Sequence, residues 1–242
     1  GDTPEVTWAG AENVERVVVV GTPSAGSVKA LRQLVNGSEL GPIIPKYEPA
    51  ILGTMPSLYQ LLPRGRHRNV TFENGEVIDN LLDPTLWERM QWGLASPQQA
   101  DTLRRLMPTV RDDQERRTIA LEHQAKVLRY TRQFFAAMDQ PAPMPNGLDL
   151  HLVAGDSEKT ASEITVRRDG SITTTGFAPG DATVTRASAL LDERTKDDWT
   201  PRLKSPIHWS SVRFYFANHL DLTREPTFTD NLLYLLLEDP RR

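Results

Sequence analysis

The chain has 242 residues, with 28 Lys and Arg against 32 Asp and Glu and a formal net charge of −4; it lacks the basic footprint that marks nucleic-acid binders. It contains no cysteine, which excludes a disulfide framework, thiolate metal ligands and a cysteine nucleophile. A 38% apolar fraction is enough for a folded core, and no apolar run approaches the roughly 18 residues of a membrane span. No signal-peptide pattern follows Gly1, so the chain reads as soluble, with the cytoplasm favoured.

In chain order, ENVERVVVVGTPSAGSVKALRQLV predicts a strand, a glycine turn and a helix. Four consecutive valines, Val17 to Val20, predict a strand buried on both faces, as in a parallel sheet. The turn Gly21 to Ser27 then lies at the strand's C-terminal end, where open α/β sheets carry their sites. Residues 1–45 are therefore a core sheet segment, and residues 46–145 a predominantly helical cap or insertion.

The insertion's long helix, around DQERRTIALEHQAKVLRYTRQFFAAMDQ, repeats Leu121, Leu128 and Phe135 at seven. Ile119, Val127, Tyr130, Phe134 and Met138 widen that apolar face. The basic clusters PRGRHR and RDDQERR read as solvated surface.

Residues 146–242 return to the core. LDLHLVAGD is a compact strand, and TASEITVRRDGSITTTG is a small hairpin excursion around a two-residue Asp169-Gly170 turn. A terminal helix starts with Thr227 as cap and Asp230 at its third position, with Leu232, Leu233, Leu235, Leu236 and Leu237 for burial. The predicted fold class is α/β, a mostly parallel sheet with a helical cap insertion and a small β-hairpin excursion.

Two residues suggest chemistry. Asp181, in PGDATV, precedes His219, in ANHLDL, and the order acid then base is that of Ser, Asp, His hydrolases. Asp156 in VAGDSEKT and His208 in SPIHWSS compete for the same roles, and spacing does not choose among them. His67, His123 and His151 complete the histidines without a ligand spacing, so no metal is expected. GTPSAGS lacks the ending of a phosphate-binding loop, and no cofactor is expected.

VVVVGTPSAGS, MPSLYQLLP, GDATVTRAS and NHLDLTREPTFTDNLLYLL, in that order between about Val14 and Leu237, resemble the lecithin:cholesterol acyltransferase-like branch of the lipase-like α/β-hydrolases. The resemblance implies a partial α/β-hydrolase fold, with Asp181 as triad acid and His219 as base in preference to Asp156 and His208. It implies further that Gly21, Thr22, Pro23 and Gly26 line the active-site edge, and that the cap shapes a pocket for an acyl ester or lipid-like substrate.

The family's G-x-S-x-G nucleophile elbow is missing. Ser24 in GTPSAG is the nearest substitute, but Thr22 and Pro23 stand where the elbow needs small residues. The expectation is therefore the C-terminal part of a serine-dependent ester hydrolase or O-acyltransferase. Its serine would lie in an N-terminal segment or companion chain, and these residues alone would be inactive. The alternative is a noncatalytic lipid-binding or protein-interaction module on the same frame.

Overall fold

The β-branched run Arg16–Val20 forms strand β1 and is followed by helix α1 (Val28–Asn36) in a computed structural model that describes residues 5–39, 45–194 and 200–240. Gly1 and residues 40–44 of the first segment lie outside the described residues. The middle of the chain contributes α2 (Pro49–Gly53), α3 (Pro56–Gln60), a short strand β2 (Val70–Phe72), α4 (Pro84–Met90), α5 (Ala100–Leu106) and α6 (Asp113–Met138). Then come β3 (Asp149–Gly155), β4 (Glu158–Val166), β5 (Ile172–Gly180), α7 (Arg186–Leu190), β6 (Ser211–Tyr215) and α8 (Pro226–Leu233).

The fold is mixed α/β, with two sheets among the described residues. One is parallel throughout, in the order β1-β3-β6, with Val18 opposite His151 and His151 opposite Ser211. Val19, Leu152, Ala154, Val212 and Phe214 pack on α7 from one face, while Val18, Val20, Val153 and Tyr215 meet Leu222 and Phe228 on the other. β1 is not buried on both faces as its valines predict: Val17 is 37% exposed and Val18 to Val20 are half-buried. The reason is position, because among the described residues β1 is an edge strand paired with β3 alone.

The second sheet, β2-β4-β5, joins β2 to β4 in parallel and β4 to β5 antiparallel. The hairpin is thus more than an excursion. Ile164 and Val166 of β4 enter the largest core with Tyr59, Trp87 and Trp92, and Trp92 Nε1 donates to the Gly170 carbonyl at 2.6 Å. The turn has three residues rather than two, since Arg167 N bonds Ser171 O around it. Gly170 is at φ +81°, and a Cβ there would stand 2.2 Å from Met90 O, so only glycine allows the contact.

Helix α6 packs by a narrower stripe than its heptads predict. Ala120, Gln124, Val127, Leu128 and Thr131 are buried, while Ile119, Tyr130, Phe134 and Met138 stay exposed. The basic clusters are solvated only in part: Arg66, Arg68 and Arg111 are exposed, but Arg64 and Arg116 are not. Arg64 is 3% exposed and lies 3.6 Å over the Phe135 ring, and burial pushes its guanidinium down to about 10 against the pull of Asp139. Arg116 is buried against the Met107 and Val110 carbonyls and Asp113. Arg66 bonds both Asp139 and Glu193, and His67 Nε2 lies 3.1 Å from Glu193. This cluster ties the end of α6 to the loop after α7.

The terminal helix begins with Pro226 at its first position, ahead of the predicted Thr227 cap. Thr227 lies inside it, and its carbonyl accepts from Tyr215 OH and Asn231 Nδ2. A π-helical turn, Tyr234–Glu238, follows and shifts the phase of the leucines. Leu235 is buried and Arg16 holds its carbonyl, but Leu233, Leu236 and Leu237 are exposed. Among the described residues no helix is long and apolar enough to cross a membrane.

Candidate functional site

The C-terminal ends of the three parallel strands converge on one side chain pair. β1 runs into Gly21, β3 ends at Gly155, and β6 leads into the loop that carries His219. Asp181 follows β5 directly, so the hairpin delivers it to this edge. A Cβ on Gly155 would stand 2.8 Å from Asp181 Cβ, and one on Gly21 would stand 3.1 Å from His219 Cε1 and Nδ1. Glycine at both strand ends lets the pair sit directly on the sheet edge.

His219 Nδ1 and Asp181 Oδ2 are 2.8 Å apart. The backbone doubles the link, with His219 N donating to Asp181 O at 2.8 Å. Asp181 is 1% exposed, and its Oδ1 accepts from Thr183 N at 3.0 Å and Val184 N at 2.7 Å. Both carboxylate oxygens are therefore engaged, which fixes the rotation of the group. A carboxylate only accepts, so the proton of the pair belongs on His219 Nδ1 and Nε2 carries the free lone pair. The imidazole is 33% exposed, and Nε2 has no protein partner among the described residues.

The competing residues lie elsewhere. Asp156 follows β3 but pairs with Arg186 at 3.4 Å. His208 is exposed ahead of β6. Ser24 is 8% exposed inside the turn, where its amide bonds Thr22 O, and no hydrogen bond joins it to His219 among the described residues. Of the turn residues, Gly21 borders the pair, whereas Thr22 is exposed and Pro23 half-buried. Gly26 faces the insertion instead, because a Cβ there would stand 2.1 Å from Leu62 O.

Residues that sequence reasoning missed hold the aspartate's turn. Thr160 of β4, 1% exposed, accepts from Ala182 N at 2.8 Å. Ser27, which caps α1, donates to Thr183 O at 2.7 Å. The cap signal of a serine ahead of VKALRQLV was legible; its second bond spans 156 residues and was not.

A groove of about 690 Å³ runs between the insertion and the core, lined by Ala25, Ser27, His67, Thr71, Phe177 and Ser188 among others. Neither Asp181 nor His219 lines it. Two strongly exposed apolar residues flank His219 in sequence, Phe216 at 87% and Leu220 at 80% exposure.

No family model matches this chain, and no curated protein matches it. Among solved structures it is similar to a chain in the crystal structure of the Tle4-Tli4 complex, with a TM-score of 0.56 and 13% identity. The match covers 93% of this chain and 54% of that one, so this chain spans about half its length. At that identity the likeness is one of fold.

Proposed function

We propose that Asp181 and His219 are the acid and base of a serine-type acyl-transfer centre of the α/β-hydrolase kind, in the branch that includes lecithin:cholesterol acyltransferase-like enzymes. The Asp181–His219 geometry carries this reading: a buried, doubly anchored carboxylate fixes one ring nitrogen and leaves the other facing outward. The fold likeness to a chain of the Tle4-Tli4 complex supports it. The serine comes from a segment or companion chain beyond residues 1–242, and the edge of β1 that has no strand beside it among the described residues, with Val17 exposed, suits a strand from that source.

In this reading His219 Nε2 takes the serine proton as Oγ attacks the acyl carbonyl, and Asp181 stabilises the resulting imidazolium. The imidazolium then gives that proton to the departing alkoxide as the tetrahedral intermediate collapses to the acyl-serine. Water or an acceptor alcohol next loses its proton to Nε2 and attacks the acyl-serine, and as this second intermediate collapses the serine Oγ leaves and takes the proton back from the imidazolium, which releases the acid or the new ester. The substrates are acyl esters or lipids, for which Phe216 and Leu220 offer an apolar rim.

A fluorophosphonate probe applied to the protein purified with all that accompanies it, followed by peptide mapping, tests the proposal. The expected label is on a serine outside residues 1–242 and is lost in His219→Ala. Labelling of Ser24 would move the nucleophile into this chain. An upstream sequence that carries no reactive serine would instead favour a noncatalytic binding module.

A further inference from the structure

The turn that presents Asp181 is an unfavourable one for its sequence. Ala182, which follows the aspartate, sits at φ +68°, a left-handed conformation that residues with a Cβ seldom adopt. That single residue reverses the chain so that the amides of Thr183 and Val184 turn back onto Asp181 Oδ1, an Asx-type closure. With Oδ1 occupied by two donors, Oδ2 is the oxygen left for His219. The direction of the catalytic bond thus depends on holding Ala182 in a backbone state it would not choose.

Ser27 holds the next residue of the turn through Thr183 O, and Thr160 holds Ala182 itself. Thr160 Oγ1 accepts from Ala182 N at 2.8 Å and donates to Glu158 O at 3.0 Å. The hydroxyl's proton and one lone pair are both committed, so its orientation is fixed. The contact is built in from below as well: a Cβ on Gly180 would stand 2.6 Å from Thr160 Oγ1 and 2.3 Å from Val184 O, so glycine before Asp181 permits the approach. Thr160 is paired with Ala178 near the base of the hairpin, is 1% exposed, and its hydroxyl bonds Ala182 N and Glu158 O rather than His219. It acts on the site only through Ala182.

We infer that Thr160 is a positioning residue for the Asp181–His219 pair, a role that rests on the acid–base reading above. The β4–β5 hairpin on this account is the support of the catalytic acid, anchored to the large core at its tip by the Trp92 bond to Gly170 and delivering Thr160 at its base. A valine at 160 keeps the shape and removes the acceptor, which leaves the amide of the exposed Ala182 to water and takes away the bond that fixes its direction. The turn is then free to relax, and Oδ1 and Oδ2 lose their separate assignments.

The test reads the tautomer of His219 by long-range ¹H–¹⁵N correlation on ¹⁵N-histidine-labelled protein at a pH where the ring is neutral. In the unsubstituted chain the Nδ1–H form should dominate, and in Asp181→Asn it should not. In Thr160→Val the ratio of Nδ1–H to Nε2–H should fall by about fivefold to tenfold, the scale of one lost hydrogen bond. Thr160→Ser, which keeps the hydroxyl, should match the parent. A general loss of stability would lower melting in both variants without dividing the tautomer ratio this way.

An unchanged ratio in Thr160→Val overturns the inference, while a parent chain with the tautomer mixture of free histidine overturns the acid–base reading instead. Should the valine variant not fold, hydrogen exchange of the Ala182 amide in the parent decides. Protection beyond that of exposed loop amides supports the role, and exchange as fast as theirs overturns it.

Discussion

Replacing Gly21 with alanine measures how tightly the turn after β1 packs against the Asp181–His219 pair. Gly21 is at φ +59°, where an ordinary residue costs on the order of 1 kcal/mol. The new Cβ would also lie 2.9 Å from Leu222 Cδ1 and 3.1 Å from the His219 ring. The leucine tip can swing aside, but the ring is tied to Asp181 on both side chain and backbone. Displacing it forfeits part of a charge-assisted bond, about 1 kcal/mol, for a total near ~2 kcal/mol.

Gly75→Ala is the control. Its φ is +84°, and nothing lies within 4 Å of the added Cβ, so it carries the backbone cost of about 1 kcal/mol alone. Gly26→Ala is the opposite extreme, since its Cβ would meet the Leu62 backbone oxygen at 2.1 Å. Urea denaturation with an unchanged slope should rank the losses Gly75, Gly21, Gly26 in ascending order. Equal losses at Gly75 and Gly21, with the His219 resonances unmoved, would refute the close contact.

Arg64 is buried over Phe135 with two of its nitrogens lacking a hydrogen-bond partner among the described residues and only a 3.7 Å ion pair to Asp139, so Arg64→Met should change thermal stability by less than about 1 kcal/mol. Arg64→Ala, which opens a cavity, should cost about 2–3 kcal/mol; equal losses would contradict this. Burial works to raise Glu193, but hydrogen bonds from Arg66 and His67 outweigh it and hold the carboxyl at about 2, below its usual 4.5. Its contribution is therefore complete above pH 4.5 and lost as the pH falls toward 2. Glu193→Gln should flatten the stability curve in that window by on the order of 1 kcal/mol after solvent screening. His151 is lowered from 6.5, chiefly by burial, with Arg213 and Arg16 opposing its charge and Asp149 and Asp239 favouring it. The fold prefers the neutral ring, so stability should decline as the pH drops below 6.5, and His151→Gln should weaken that decline in pH-dependent melts.

The local parts of this architecture were legible because they follow from short-range chemistry. The valine run, the glycine turn and the LDLHLVAGD strand are written in β-branching and punctuation, and β1 and β3 pair in parallel with a regular register. What failed depended on partners distant in sequence. The burial of Val17 needs a neighbour on β1's other edge, and the leucines of the terminal helix lose their common face through a π turn that no period reveals. Arg64 looked like surface because its shelter, Phe135, is 71 positions away. Asp181 and His219 were visible as candidates, but choosing them over Asp156 and His208 took a resemblance. The structure shows physically why they differ: Asp156 has Arg186 for a partner, and His208 lies in solvent. Thr160 was illegible, since a threonine in a strand is ordinary and its bond to Ala182 crosses the whole hairpin.

The central claim is that Asp181 directs His219 as an acyl-transfer base, and the rate of fluorophosphonate labelling of the assembled protein tests it most directly. Asp181→Asn keeps an acceptor for the two backbone amides while it disfavours Nδ1–H, and should slow labelling by about 10³- to 10⁴-fold. Asp156→Asn, which touches only the Arg186 pair, should stay within about twofold. Similar rates for the two variants, or labelling indifferent to Asp181, would contradict the account.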